Sequence, residues 1–280
     1  VPELPEVETI RRELERSVVG RPIRAAEVRP SGRRSIRRHK GPKEFENALS
    51  GKSIGGVARK GKYLLIELGK DDVWVVHLGM TGQLRLVKTK EALEPHTKVV
   101  VTLKDSEQLR FVDPRTFGET FVSSRDSVTQ QLPELAHLGF DPLEDVITWA
   151  AFERLLRNRK AKLKALLMDQ RFVAGIGNVY SDEILFAAGL RYDRDVSSLS
   201  VQDVRRLYRS MIEVLTEALR HRGSSLADER YRDLYGRLGE YQQFHAVYDR
   251  EGKPCPRCRG IVTRQKVGGR SSYFCPRCQV

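Results

Sequence analysis

Cysteine is missing from the first 254 of the 280 residues, so no disulfide framework spans the bulk of the chain. No apolar stretch approaches the roughly 18 residues that a membrane-spanning helix requires, and 31% of the side chains are charged. The first twenty residues alternate charged with apolar positions, which argues against a secretory leader and its unbroken apolar centre. No internal repeat is evident. Acids are in deficit as well: 37 Asp and Glu stand against 50 Lys and Arg, a net charge of +13. A surface field of that sign draws a polyanion, phosphate first of all, although a basic protein with no such partner has the same arithmetic. The 40% of apolar residues suffices for genuine cores. A length of 280 residues exceeds one ordinary domain, pointing to two domains with room for a third small module.

The four cysteines that are present fall within the last 26 residues, as Cys255, Cys258, Cys275 and Cys278 in two C-P-R-C knuckles sixteen residues apart. This spacing matches a structural zinc ribbon, in which each knuckle turns two thiolates inward and the four close a tetrahedron. Two disulfides or a redox pair are the alternatives. Such short spacing strains a disulfide, nothing points to export, and a redox motif is rarely doubled. Four sulfur ligands leave no position open for water. One structural, non-catalytic zinc ion is therefore expected, giving a stability that so short a module cannot draw from a core.

Residues 5–19 predict a helix: Pro5 suits a first turn, Val7, Ile10, Leu14 and Val18 form one stripe, and Gly20 ends it. Between residues 29 and 43 lie seven basic side chains and no acid, punctuated by Pro, Gly and Ser. That run reads as a loop, either touching phosphate or simply solvated. From 53 to about 123 the texture is β-rich, with strands at 63–68, 73–78, 83–87 and 98–103, as in a sandwich or barrel. Beyond about 130, helical spacing takes over at 145–157, 160–169, 179–188 and 200–221, the last opening on a Ser200/Asp203 capping box. The stretch V-A-G-I-G-N-V-Y (173–180) is a tight glycine turn before a helix. It is a phosphate-binding arrangement and equally a common turn. Residues 223–251 are polar with little periodicity and read as a long loop.

The opening V-P-E-L-P-E-V-E-T, taken with the four-cysteine module, resembles the bacterial formamidopyrimidine-DNA glycosylases. K-G-K-Y-L-L-I-E-L (60–68), H-L-G-M-T-G (77–82), D-P-R-T-F-G (113–118), L-M-D-Q-R-F-V-A-G-I-G-N-V-Y (167–180) and G-G-R-S-S-Y-F-C-P-R-C-Q (268–279) follow in family order and span nearly the whole chain. The resemblance implies a multidomain α+β fold: an N-terminal β-sandwich with flanking helices (1–130) and a C-terminal helical domain with a helix–two-turn–helix (131–223). A lesion-capping loop (224–244) and a zinc β-hairpin (245–280) complete it. Double-stranded damaged DNA is the implied partner, lying across the cleft between domains. The implied protein is a cytoplasmic monomer, associated with the nucleoid through DNA. It excises oxidised purines such as 8-oxoguanine and formamidopyrimidines, then nicks the abasic site by β,δ-elimination.

In that family the nucleophile is the amine of an N-terminal proline, here Pro2. A secondary amine attacking the anomeric carbon yields an iminium, an electron sink. An α-amino group titrates near ~8, so a useful fraction is unprotonated at neutral pH. The chain departs from the family's Met-Pro start by beginning Val-Pro. With Val1 attached, Pro2 is a tertiary amide and no nucleophile. The expectation is that Val1 reads a GUG start codon, initiated as methionine and then removed. Glu3 resembles the general acid, although a helix N-terminus favours an acid for its own reasons. Glu6 reads as an orienting contact for the N-terminus. Lys62, at a strand start, resembles the family lysine beside the lesion phosphate, with Lys60 on the same strand face as its rival in register. Strand-edge lysines otherwise serve as solubility gatekeepers.

A base inside a duplex is out of reach, so a glycosylase flips it and fills the gap. Met80, Arg115 and Phe117 match the family's void-filling trio: Phe117 as the wedge, Met80 in the vacated stack, Arg115 on the orphaned partner base. Taken singly, a Met and a Phe in such places are ordinary core residues. Asn178 and Arg270 resemble the pair that grips the phosphates flanking the lesion, and the family gives Arg270 a part in δ-elimination. His96, Arg159 and Lys164 match further DNA-contact positions, though His96 fits an exposed strand equally well. Residues 223–244 fit the family pattern only at their edges, so no base-reading residue is named. Two rivals stand beside this reading. The endonuclease VIII class removes oxidised pyrimidines; P-E-L-P-E in place of P-E-G-P-E, and the trio, argue against it. A zinc protein that binds damaged DNA without chemistry is what a retained Val1 enforces.

Overall fold

The architecture comes from a computed structural model that describes residues 2–157 and 159–280. Helix α1 (Leu4–Val18) forms where the apolar stripe demands it, with Val7, Ile10, Leu14 and Val18 buried and a proline in its first turn. The strands β1 (Ile23–Val28), β2 (Ile54–Lys60), β3 (Tyr63–Leu68), β4 (Asp72–His77), β5 (Gln83–Lys88), β6 (Thr97–Leu103), β7 (Glu107–Val112) and β8 (Glu119–Ser124) make two antiparallel sheets. One sheet is ordered β1-β6-β7-β5 and the other β2-β3-β4-β8. Alternate residues from both, including Leu64, Ile66 and Leu68 on one side and Val99, Val101 and Leu103 on the other, share one core with α1. That is the expected sandwich, built on period-two burial.

The basic run at 29–43 is not the loop its composition suggests. Pro30–Ile36 is a 3-10 helix, and α2 (Pro42–Leu49) begins within the run, both opening on proline. Ile36, Phe45 and Leu49 are buried and fix this stretch to the core, an apolar signal hidden among charges. Arg37 and Arg38 both pair with Glu119, at 3.0 and 2.7 Å. A short helix α3 (Val128–Gln131) follows the sandwich.

Two compact units result: Val1–His137 with His221–Glu240, and Leu138–Arg220 with Tyr241–Val280. The second holds α4 (Trp149–Leu156), α5 (Leu163–Leu167), α6 (Asn178–Ala188) and α7 (Val201–Arg220). The first two are shorter than their apolar spacing predicts. Thr148 caps α4 through the Ala151 amide at 3.2 Å, so that helix opens after residue 148 and not at 145. At the start of α7 the Asp203 amide reaches Ser200 Oγ at 3.2 Å and the Ser200 amide reaches Asp203 Oδ2 at 3.0 Å, the predicted box. Strands β9 (Thr263–Val267) and β10 (Arg270–Phe274) form a hairpin closed by Gly268 and Gly269, whose φ of +54° and +77° only glycine adopts freely.

Segment 221–240, irregular as expected, is anchored rather than loose. Tyr231 and Leu234 enter the core of the first unit. The Leu234 amide donates to Glu13 at 2.9 Å, and its carbonyl accepts the Leu86 amide at 2.8 Å.

Two histidines make stability pH-dependent. Burial pushes His77 down to about 4, helped by the charge of Lys62, and burial likewise brings His245 to about 4, against an ordinary 6.5. The unfolded chain therefore binds more protons between those values, and stability is lost as pH falls from 6.5 toward 4. Replacing both with glutamine should flatten the denaturation midpoint across that window, and an unchanged slope would contradict this account.

Candidate active site and nucleic-acid interface

Pro2 is buried at the head of α1, and Glu3 is the N-cap in extended conformation; Val1 lies outside the described residues. Glu3 and Glu6 exchange a capping box: Glu6 Oε2 accepts the Glu3 amide at 2.7 Å. The other oxygen of Glu6 accepts the Ser224 amide at 2.7 Å. One buried carboxylate thus ties the residue after Pro2 to segment 221–240.

Helix α1 runs along β2 toward the hairpin that carries Lys62. Glu15 takes the Val57 amide at 3.0 Å; further toward the helix N-terminus, Glu8 takes Arg59 Nε at 2.9 Å. Arg59, its side chain fully buried, also donates to the Gly61 carbonyl at 3.0 Å. Lys62 is not at a strand start as expected. It is the second residue of the two-residue turn between β2 and β3, because Gly61 takes a left-handed φ of +57° and Lys60 pairs with Tyr63. Lys60 therefore belongs to the preceding strand and is exposed, while Lys62 is half-buried on the turn that Arg59 fastens to α1. Its charge reaches His77, whose ring lies 4.6 Å from that of Tyr63.

Met80 is 40% and Phe117 51% exposed, so neither is a core residue. The Arg115 guanidinium rests 4.6 Å over the Phe117 ring. Between them Thr116 holds φ +56°, a β-branched residue in left-handed conformation, which costs on the order of 1–3 kcal/mol. Gly79 is required beside it, since a Cβ there would sit 2.6 Å from the Phe117 carbonyl carbon. His96 is exposed with φ +66°, in the turn before β6 and not in a strand.

In the second unit Asn178 opens α6, after a turn stapled by Gln170. The Gln170 amide nitrogen donates to the Met168 and Ile176 carbonyls at 3.0 and 2.8 Å, and its oxygen takes the Gly175 amide at 2.9 Å. No acid occupies the first turn of α6. Lys164 is buried: its ammonium donates to Asp182 at 2.7 Å and to the Ser271 carbonyl at 2.9 Å. The other Asp182 oxygen accepts the Tyr273 amide at 2.9 Å. Burial works against this carboxylate's charge, and Lys164 works for it. Arg270 is exposed beside the hairpin turn. Arg159 is exposed too, its Nε 3.4 Å from the Leu155 carbonyl. Sequence reasoning did not single out Asp182, Arg59 or Glu8. The only local signal was an Asp-Glu pair inside the apolar helix 178–188.

The four cysteine sulfurs lie within 4.8 Å of one another. Cys255 Sγ is 3.8 Å from Cys278 Sγ and Cys258 Sγ 3.5 Å from Cys275 Sγ. A tetrahedron with arms of about 2.3 Å has edges of about 3.8 Å, so the thiolates fit one zinc ion and not disulfides of about 2 Å. The Arg257 and Gly260 amides point at Cys255 and Cys258 sulfurs, both at 3.4 Å. Cys255 and Cys275 also join a small core with Phe186, Val247, Val262 and Tyr273. Stripping zinc with a chelator should abolish duplex binding in a gel-shift assay, and adding Zn²⁺ should restore it. Full affinity in the metal-free protein would mean the hairpin needs no metal.

Three family models match in succession: the formamidopyrimidine-DNA glycosylase N-terminal domain over residues 1–120, its H2TH domain over 138–229, and the zinc finger found in FPG and IleRS over 252–280. The formamidopyrimidine-DNA glycosylase of Pelotomaculum thermopropionicum is 41% identical over 279 residues, covering 100% of this chain and 99% of that protein. The crystal structure of the MutM (Fpg) protein from Thermus thermophilus matches with a TM-score of 0.87 at 43% identity, over 99% of this chain and 98% of that one. The Lactococcus lactis Fpg, solved with DNA containing an abasic site, matches with a TM-score of 0.89 at 35% identity, over 99% of both chains. Matched end to end in sequence and in fold, this chain belongs to the formamidopyrimidine-DNA glycosylase family.

Proposed function

We propose that this protein is a bifunctional DNA glycosylase and AP lyase of base excision repair, acting on oxidised purines through Pro2. The observation that carries the reading is the buried Pro2–Glu3–Glu6 head of α1, on the helix whose Glu8 holds Arg59 beside the turn that bears Lys62. The Pro2 nitrogen attacks C1′, the glycosidic bond breaks, and the base leaves with a proton. With O4′ protonated, the C1′–O4′ bond opens to the Pro2 iminium, which acidifies the C2′ proton; its loss expels the 3′ phosphate, and a second elimination expels the 5′ phosphate. Glu3 protonates the sugar ring oxygen, and Lys62 donates a proton during β-elimination. Asn178, Arg270, His96 and Arg159 hold phosphates, with Arg270 assisting δ-elimination. Met80, Arg115 and Phe117 fill the void. Lys164, with its amine on Asp182 and Ser271, acts through the strand that carries Arg270. Segment 224–244 covers the flipped base, and the enzyme works as a cytoplasmic monomer; among the described residues no helix is long and apolar enough to cross a membrane. The zinc ion holds the hairpin and does no chemistry.

A Lactococcus lactis Fpg has been solved with DNA containing an oxidised pyrimidine, which keeps that substrate class in the test. Borohydride should trap a covalent adduct on 8-oxoguanine:C more readily than on thymine glycol. Intact mass should show Val1 absent from competent protein. Trapping that survives acylation of the terminal amine would remove Pro2 from the mechanism. Lys62→Ala should slow strand cleavage by about 100-fold. Affinity should fall with salt by about 0.9 log unit per phosphate contact for each log unit of salt.

A further inference from the structure

Three loops carry groups assigned above to the DNA: one bears Met80, one ends at His96, and one holds Arg115 and Phe117. Asp113, 0% exposed, meets all three. Its Oδ1 accepts the Thr81 hydroxyl at 2.5 Å and the Arg115 amide at 3.2 Å. Its Oδ2 accepts the Gly118 amide at 2.7 Å, and its own amide donates to the His96 carbonyl at 3.1 Å. Thr81 closes the arrangement by accepting the Arg115 amide at 3.3 Å. On the far side of the His96 turn Arg110, 1% exposed, donates to the Glu91 and Ala92 carbonyls, both at 2.7 Å, and to the Glu94 carboxylate at 2.9 Å.

We infer that Asp113 is a positioning residue that joins the void-filling groups into one rigid tool, governing base eviction and partner-base discrimination without touching DNA. The inference rests on the assignment of Met80, Arg115 and Phe117 to the void. Its physical basis is the number of donors converging on one buried carboxylate. Without Asp113 the buried Gly118 amide loses its acceptor, the three loops lose their shared node, and the left-handed Thr116 is free to relax. The Arg115–Phe117 stack would then reach the duplex already misaligned. Oriented groups of this kind lose activity steeply with small displacements.

The test uses two substitutions in the full-length zinc-loaded protein. Asp113→Asn keeps the shape and exchanges one acceptor for a donor. Thr81→Val is isosteric and cuts only the inter-loop link, so it keeps the question open to measurement if the first variant folds poorly. In both, excision of 8-oxoguanine opposite C should fall about 10-fold or more, and the preference for C over A opposite the lesion should shrink. Borohydride trapping on an abasic single strand, with no base to evict and no partner base, should stay within about 3-fold of the parent. An equal fall on both substrates, tracking the melting temperature with the C/A ratio unchanged, would make Asp113 merely structural and overturn the inference. Phe117→Ala, assayed alongside, separates the two levels. If it leaves excision intact, the void-filling reading fails; if it impairs excision while the Asp113 and Thr81 variants leave the C/A ratio unmoved, the positioning inference fails.

Discussion

Withdrawing a carboxylate from water costs several kcal/mol unless donors replace the lost hydration. In this protein the irregular segments that lack a core of their own are held by such carboxylates, each satisfied from a distant part of the chain. Glu6 takes the Ser224 amide and Glu13 the Leu234 amide. Glu183 takes three amides in a row, from Ala246, Val247 and Tyr248, at 2.8, 3.0 and 2.8 Å. Asp182 takes the zinc hairpin through Tyr273, and Asp113 the Met80 loop through Thr81. Apolar packing fixes the sheets and long helices; buried acids fix what joins them. Removing one of these acids leaves buried amides without their acceptor, so the segments have little freedom to drift.

This use of acids explains how a net charge of +13 becomes a directed field. Several of the 37 acids are turned inward against amides and arginines, as with Glu8 on Arg59 and Glu119 on Arg37 and Arg38. His96, Arg115, Arg159 and Arg270 stay exposed. Arg33, Arg34 and Lys40, also exposed, line an open groove with Arg37 and His39. A polyanion therefore meets more positive charge at the surface than the sequence total suggests.

Much of this is legible in the sequence, and the limits have physical causes. Helices α1 and α7 and the strands follow from period and caps, because each buries a continuous stripe. The run at 29–43 misleads because Ile36 alone among its charges is the apolar anchor, and the Lys62 turn because Gly61 reverses the chain within two residues. The zinc cysteines are readable from their spacing, and the exposed arginines only through the family resemblance. The residues that orient them are not: Arg59 finds Glu8 across 51 positions, Asp113 finds Thr81 across 32, and Lys164 finds Asp182 across 18. Before the fold brings them together, Asp113 is only the first residue of D-P-R-T-F-G, and Lys164 only a match to a DNA-contact position.

The hairpin illustrates why a metal is needed at all. A two-stranded ribbon is marginal in water, and every residue of β9 is exposed. Only β10 turns side chains inward, at Ser272, Tyr273 and Phe274, beside the cysteines. Such a ribbon has little apolar area with which to resist bending. Zinc fixes both knuckles at the base, and Lys164 and Asp182 grip the backbone on either side of Ser272, at the Ser271 carbonyl and the Tyr273 amide. With both ends of β10 restrained, the exposed arginine stands on a stiff support although its own strand pair has almost no core. The ion pair beneath it has therefore the same office as the metal, one acting on the hairpin's flank and the other at its root.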